Sequence, residues 1–82
     1  MKTIYKYTVV GRNKIEMPIG ATILYVNMQG RDYCMWALVD TERSTESRYF
    51  EVVGTGWELD DNMSYIGTFF ADDFVWHIME VV

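Results

Sequence analysis

Apolar and polar residues alternate along most of this chain with a period of two, the spacing of a strand with one buried face. From Thr3 to Val10, Tyr5, Tyr7 and Val9 share one face and Lys6 and Thr8 the other. Gly11-Arg12-Asn13 then reads as a hairpin turn into a short strand, Lys14 to Met17. Pro18 ends that pairing because it has no N–H to donate, and Gly20 supplies the next turn. Ala21 to Gln29 sets Leu24, Val26 and Met28 against Ile23, Tyr25 and Asn27, and Gly30-Arg31-Asp32 turns it back into Tyr33 to Val39. Both faces of that last segment are largely apolar, as in a central strand.

Asp40 to Ser47 is polar throughout and predicts an exposed loop. Arg48 to Val53 alternates again and stops at Gly54-Thr55-Gly56. A polar loop over Glu58 to Asn62 leads into Tyr65 to Phe70, Ala71-Asp72-Asp73 makes a turn, and Phe74 to Val82 closes the chain as a strand. No segment keeps a 3.6-residue apolar period over the roughly 11 residues that a helix needs. The expectation is an all-β fold with little or no helix, a single β-rich domain over residues 1–82. About six or seven antiparallel strands in a small sandwich or partly closed barrel is the simplest arrangement.

Composition adds a reason to expect self-association. The chain is 50% hydrophobic and 16% aromatic, ample for a core. A domain this small buries only about 60–65% of the surface its unfolded chain exposes. Some of the apolar excess is therefore expected to be covered by a second copy, making a homo-oligomer.

Charge is divided unevenly. All seven basic residues lie at or before Arg48, against five acidic ones there, whereas the rest of the chain carries seven acids and no base. This balance, a formal net charge of -5, argues against a dedicated DNA or RNA binder, whose affinity comes largely from Lys and Arg on phosphate. Cys34 has no partner for an intrachain disulfide and sits in the apolar run Tyr33 to Val39, as a buried thiol does. No apolar stretch has the length of a signal peptide or a membrane helix, so the expected location is cytoplasmic, with no membrane partner.

Few residues suit catalysis. His77 is the only histidine, lying between Trp76 and Ile78, and Cys34 the only cysteine, too few for a zinc site from protein ligands alone. Strand alternation also keeps His77 off the face of Glu80. Asp60-Asp61 and Asp72-Asp73 do not fit a calcium loop and read as turn acids. The chain thus reads as non-enzymatic, with no catalytic residue, cofactor or metal assigned. A small hydrolase using His77 with Cys34 or an acid is the enzymatic alternative.

Binding has more material. Gly54-Thr55-Gly56 follows a predicted strand but lacks the third glycine and the following helix of a dinucleotide fingerprint. What survives is a pair of Gly-flanked threonines, Thr55 and Thr68, whose hydroxyl and backbone N–H groups could hold an anion; tight turns are the plainer explanation of these glycines. Trp36, Trp57 and Trp76 and six tyrosines suit a base-stacking pocket in which Arg12, Arg31 or Arg48 meets phosphate, although most aromatics serve cores and interfaces. Trp57, between Gly56 and Glu58, is the aromatic most expected to be exposed. The expected ligand site is Arg12, Arg48, Gly54, Thr55, Gly56, Trp57, Thr68, Trp76 and His77.

Seven short runs occur in order: Ile4-Tyr5-Lys6-Tyr7, Ile15-Glu16-Met17-Pro18-Ile19-Gly20-Ala21, Trp36-Ala37-Leu38-Val39-Asp40, Arg48-Tyr49-Phe50, Val53-Gly54-Thr55-Gly56, Tyr65-Ile66-Gly67-Thr68 and Trp76-His77. In these the chain resembles, over nearly its whole length, a family of small phage- and prophage-encoded proteins of unknown function. The resemblance implies phage origin, the cytoplasm of an infected bacterium and an accessory role. It transfers no catalytic residue. Small phage accessory proteins often inhibit host defence, which frames the expected function as sequestration of a signalling nucleotide by an oligomer. The alternatives are an acidic inhibitor that caps a host defence protein, and a virion or assembly component.

Overall fold

The computed structural model describes residues 1–82 as seven strands with no helix. These are β1 (Lys2–Val9), β2 (Arg12–Pro18), β3 (Thr22–Gln29), β4 (Asp32–Asp40), β5 (Thr45–Gly54), β6 (Met63–Ala71) and β7 (Phe74–Val81). They form two antiparallel sheets, a three-stranded one ordered β1-β4-β3 and a four-stranded one ordered β2-β5-β7-β6. The architecture is a small sandwich, not a closed barrel. No helix is long and apolar enough to cross a membrane.

The core lies between the inner faces that the alternation builds. β4 contributes Met35, Ala37 and Val39, β5 contributes Phe50 and Val52, and β2 and β7 add Ile15, Met17 and Ile78. Each large side chain fully buried here, such as Phe50 or Met17, contributes about 1.5–3 kcal/mol, an upper figure because unfolded chains already hide some apolar surface. Every buried side-chain polar atom has a hydrogen-bond partner.

Two expected hairpins are present, β3 to β4 and β6 to β7. In the first, Gln29 faces Asp32 across a two-residue turn that starts at Gly30 with φ 62, a backbone angle a side chain would resist. The expected hairpin at Gly11-Arg12-Asn13 is absent. β1 pairs instead with β4, Lys2 facing Asp40, and β2 pairs with β5, Arg12 facing Glu51, so the chain changes sheets at Val10-Gly11. Alternation shows which face of a strand is buried, and a strand crossing to the opposite sheet buries the same residues as one that folds back.

Two further corrections follow from packing. The expected loop from Asp40 to Ser47 is shorter, since Asp40 ends β4 and Thr45 to Ser47 belong to β5, where Glu16 faces Ser47 across the ladder. In β3 a bulge between Ile23 and Tyr25 breaks strict alternation. Ile23, Val26 and Met28 therefore pack on the core, and Leu24, expected beside Val26, is exposed.

The sandwich is tightest where edge strands β3 and β6 meet. Gly67 lies in β6, and a Cβ built there would sit 2.5 Å from Val26 Cγ2. The absence of a side chain at Gly67 lets the two sheets approach.

Candidate functional site

β5 and β6 run parallel, with β7 between them. The eight residues from Thr55 to Asn62 must therefore carry the chain from one end of the sheet to the other. The inner face is occupied by the three-stranded sheet, so this strap crosses the outer face. Its passage explains why Val53 and Met79, which point outward, are nonetheless buried. Between strap and sheet lies a cavity of about 240 Å³, lined by Val53, Thr55, Trp57, Leu59, Tyr65, His77 and Met79 among others.

His77 is held at both ring nitrogens. Nε2 is 2.8 Å from Thr55 Oγ1, and Nδ1 is 2.9 Å from Thr68 Oγ1. Thr68 Oγ1 is in turn 2.7 Å from Tyr65 Oη, and Thr55 Oγ1 donates to the Val75 carbonyl at 3.1 Å. The row Tyr65-Thr68-His77-Thr55 thus ties β6, β7 and the start of the strap together. Tyr65 and Thr68, three positions apart, share the outer face because a bulge between Tyr65 and Gly67 shifts the register, setting Tyr65 opposite Met79 and Thr68 opposite His77.

Trp57 folds across Gly54. Its Nε1 would lie 2.8 Å from a Cβ built there, and the Trp57 backbone N–H donates to the Gly54 carbonyl at 3.1 Å. The indole, 58% exposed, stands edge-on to Trp76 with ring centroids 5.7 Å apart. Trp76 also packs against Tyr33 and Phe74, and Tyr33 against Phe69, so the aromatics are connected at this end of the sandwich. A second cavity of about 390 Å³, lined by Trp57, Asp73, Phe74, Val75 and Trp76, shares Gly54, Thr55 and Trp57 with the first. Trp57 is their common wall.

Seven of the nine residues expected at the site converge here: Gly54, Thr55, Gly56, Trp57, Thr68, Trp76 and His77. Arg12 belongs to the rim. It is 3.4 Å from Glu51 and 3.1 Å from Asp60 of the strap, an exposed pairing that tethers the strap to β2. Arg48 lies elsewhere. It faces the inner side of its sheet, where its guanidinium makes two bonds to Glu80, at 2.7 and 2.8 Å, and one to the Ala21 carbonyl at 2.7 Å. Hydrogen bonding to Glu80 raises the Arg48 guanidinium above its ordinary value despite burial. His77 faces the opposite side, as alternation predicts, and Cys34 is buried in the other sheet.

Tyr65, Leu59, Val53 and Met79 complete the lining without having been expected. The first depends on a bulge and the others on the crossing strap. The only signal for Tyr65 was its being a phenol in the strand that carries Thr68. As an anion cradle the Gly-Thr-Gly turn is reduced, because the Thr55 and Trp57 amides already donate to Val75 and Gly54. What the arrangement offers is an aromatic wall, an apolar floor and a row of hydroxyls.

No curated protein and no solved structure matches this sequence. A family model covers residues 1–82 in full, and the chain belongs to the family described as Domain of unknown function (DUF7352).

Proposed function

We propose that this protein is a non-enzymatic, phage-encoded accessory protein. In this reading it counters host defence in the bacterial cytoplasm by sequestering a signalling nucleotide within a homo-oligomer. The observation that carries the reading is Trp57, a half-exposed indole laid over Gly54 between two adjoining cavities, beside a hydroxyl-lined histidine. Ligand sites are commonly about 300–1,000 Å³, mostly apolar with a few placed polar groups. A nucleotide spanning both cavities could stack its base on an indole that does not need to be buried for the protein to fold. Arg12 supports the phosphate end, since its partners Glu51 and Asp60 form an exposed pairing that costs little to exchange.

Binding accounts for His77 better than catalysis does. Its two nitrogens are both occupied by protein hydroxyls, and the one thiol lies in the other sheet. The exposed Tyr65, Phe70 and Phe74 supply apolar surface for association of copies. Thermal melts with a panel of cyclic and ADP-ribose-type nucleotides test the reading. A ligand at about 100 times its Kd stabilises by about 2.7 kcal/mol, an easily measured rise in Tm. No shift across the panel at millimolar concentration would remove it.

A second reading is an acidic inhibitor that caps a host defence protein. It is favoured by the pairing of Asp72 and Asp73 with the exposed Phe70 and Phe74 beside them. Affinity capture from host lysate should then recover a stoichiometric partner, and an empty capture would count against it. A virion component, the remaining alternative, would appear in mass spectra of purified particles.

A further inference from the structure

The hydrogen bonds through His77 have a direction. Thr55 Oγ1 is 3.1 Å from the Val75 carbonyl, which can only accept, so Thr55 uses its one hydroxyl proton there. Thr55 must then accept from the ring at 2.8 Å, which places the proton of a neutral imidazole on Nε2. Nδ1 is left as the acceptor, and Thr68 donates to it across 2.9 Å. With its proton committed, Thr68 offers Tyr65 only lone pairs, so the phenol donates to Thr68 across 2.7 Å. The opposite order, with the proton on Nδ1, turns the Thr55 hydroxyl toward Nε2 and gives up its bond to Val75. For a neutral ring the first order alone satisfies all of these contacts.

The result reaches the pocket. Tyr65 is 61% exposed and lines the cavity beneath the strap, yet it has no proton left for a ligand. It presents an oxygen lone pair. We infer that the Tyr65 phenolic oxygen is the acceptor that selects the ligand, and that the ligand class is a planar heterocycle bearing an amino or N–H donor, as on an adenine-, guanine- or cytosine-type base. The inference rests on the nucleotide reading of this same pocket and deepens it. Phosphate, which has only lone pairs to offer, is directed away from Tyr65 and toward Arg12.

Calorimetric titration of the full chain with AMP, and with purine riboside monophosphate, the same ring without its amino group, tests the ligand class. AMP is expected to bind about tenfold more tightly, the effect of one neutral hydrogen bond at the upper end of the usual range. Tyr65→Phe should lower AMP to the level of the analogue and leave the analogue unchanged. Because Tyr65 is exposed, that variant should fold, which its thermal melt checks. Equal affinities for the two ligands would overturn the assignment of Tyr65 while leaving a nucleotide site. Failure of both ligands and of the wider nucleotide panel would remove the site itself.

An independent readout needs no ligand. Nitrogen NMR of the neutral His77 ring should show the proton on Nε2. A proton on Nδ1 would overturn the proton order whatever binds. Thr68→Val, which removes the donor to Nδ1 and frees the phenolic proton, should narrow the preference for AMP, because the phenol can then also donate to a ring nitrogen of the analogue.

Discussion

Replacing Gly67 by alanine places a methyl group where the two sheets come closest. The new Cβ would lie 2.5 Å from Val26 Cγ2 and 3.4 Å from Cγ1, whereas carbon atoms prefer about 3.5–4.0 Å. Val26 is buried in the core and, being β-branched, has few rotamers into which it could retreat. Relief requires β3 and β6 to part by about 1 Å at this point, which loosens the packing of neighbours such as Met35 and Phe69. Overpacking of this kind costs about 1–3 kcal/mol. The severity of the clash favours the upper half of that range, and the loss of glycine's unfolded-state entropy offsets about 0.5–1 kcal/mol of it.

A net loss of about 2 kcal/mol corresponds to a fall in Tm of about 8–16 °C for a domain of this size. Urea and thermal unfolding followed by circular dichroism measure it, best within a double-mutant cycle. Val26→Ala alone should cost about 2 kcal/mol through lost burial and the cavity left behind. In that background the Gly67 methyl enters vacated space, so the double variant should be more stable than the sum of the singles by about 1–2 kcal/mol. A Gly67→Ala protein within about 0.5 kcal/mol of the parent, or costs that simply add, would refute the close approach.

Gly54→Ala should act on the site more than on stability. The methyl would meet Trp57 Nε1 at 2.8 Å, and the exposed indole can swing away, losing about 0.5–1.5 kcal/mol of contact with Trp76. Tryptophan emission should shift and nucleotide affinity fall, and unaltered binding would argue against Trp57 as the stacking wall. Arg48→Ala should cost about 2–3 kcal/mol by leaving Glu80 unpaired, with Arg48→Met plus Glu80→Leu recovering most of it. Ligand affinity should be untouched in the rescued pair, and a selective loss there would return Arg48 to the site. Burial, and then the nearby Tyr5, holds the Tyr7 phenol above its ordinary 10.0. The folded state therefore favours the neutral phenol, and this contribution is complete below about pH 10 and lost as pH rises through the raised value. Tyr7→Phe should flatten the alkaline limb of the stability curve, so identical limbs in parent and variant would contradict it.

The convergence of Thr68, Trp76 and His77 was legible in the sequence because a hairpin of β6 and β7 sets them side by side, whereas Thr55 and Trp57 join them only because β5 pairs with β7, Gly54 facing Trp76. Arg48 was misplaced for the opposite reason. Its partner Glu80 is 32 residues away, and nothing local to Arg48 marks it as engaged. Tyr65 was missed because alternation puts residues three apart on opposite faces, and a bulge reverses that outcome.

By itself the sequence determined that this protein is all strand, where most strands begin and end, and two of its hairpins, β3 to β4 and β6 to β7. These follow from interactions within a few residues: alternating burial, the missing donor of Pro18, and the positive φ available to Gly30 and adopted by Asp72. Only the tertiary structure decided which strands pair across the chain, since β1 and β2 would present the same alternation to a hairpin as to opposing sheets. It also decided that Thr55 to Asn62 crosses the outer face, because β7 occupies the place between β5 and β6 and the other sheet fills the inner side. The pocket exists because of that crossing, and its residues are neighbours only once the whole sheet has formed.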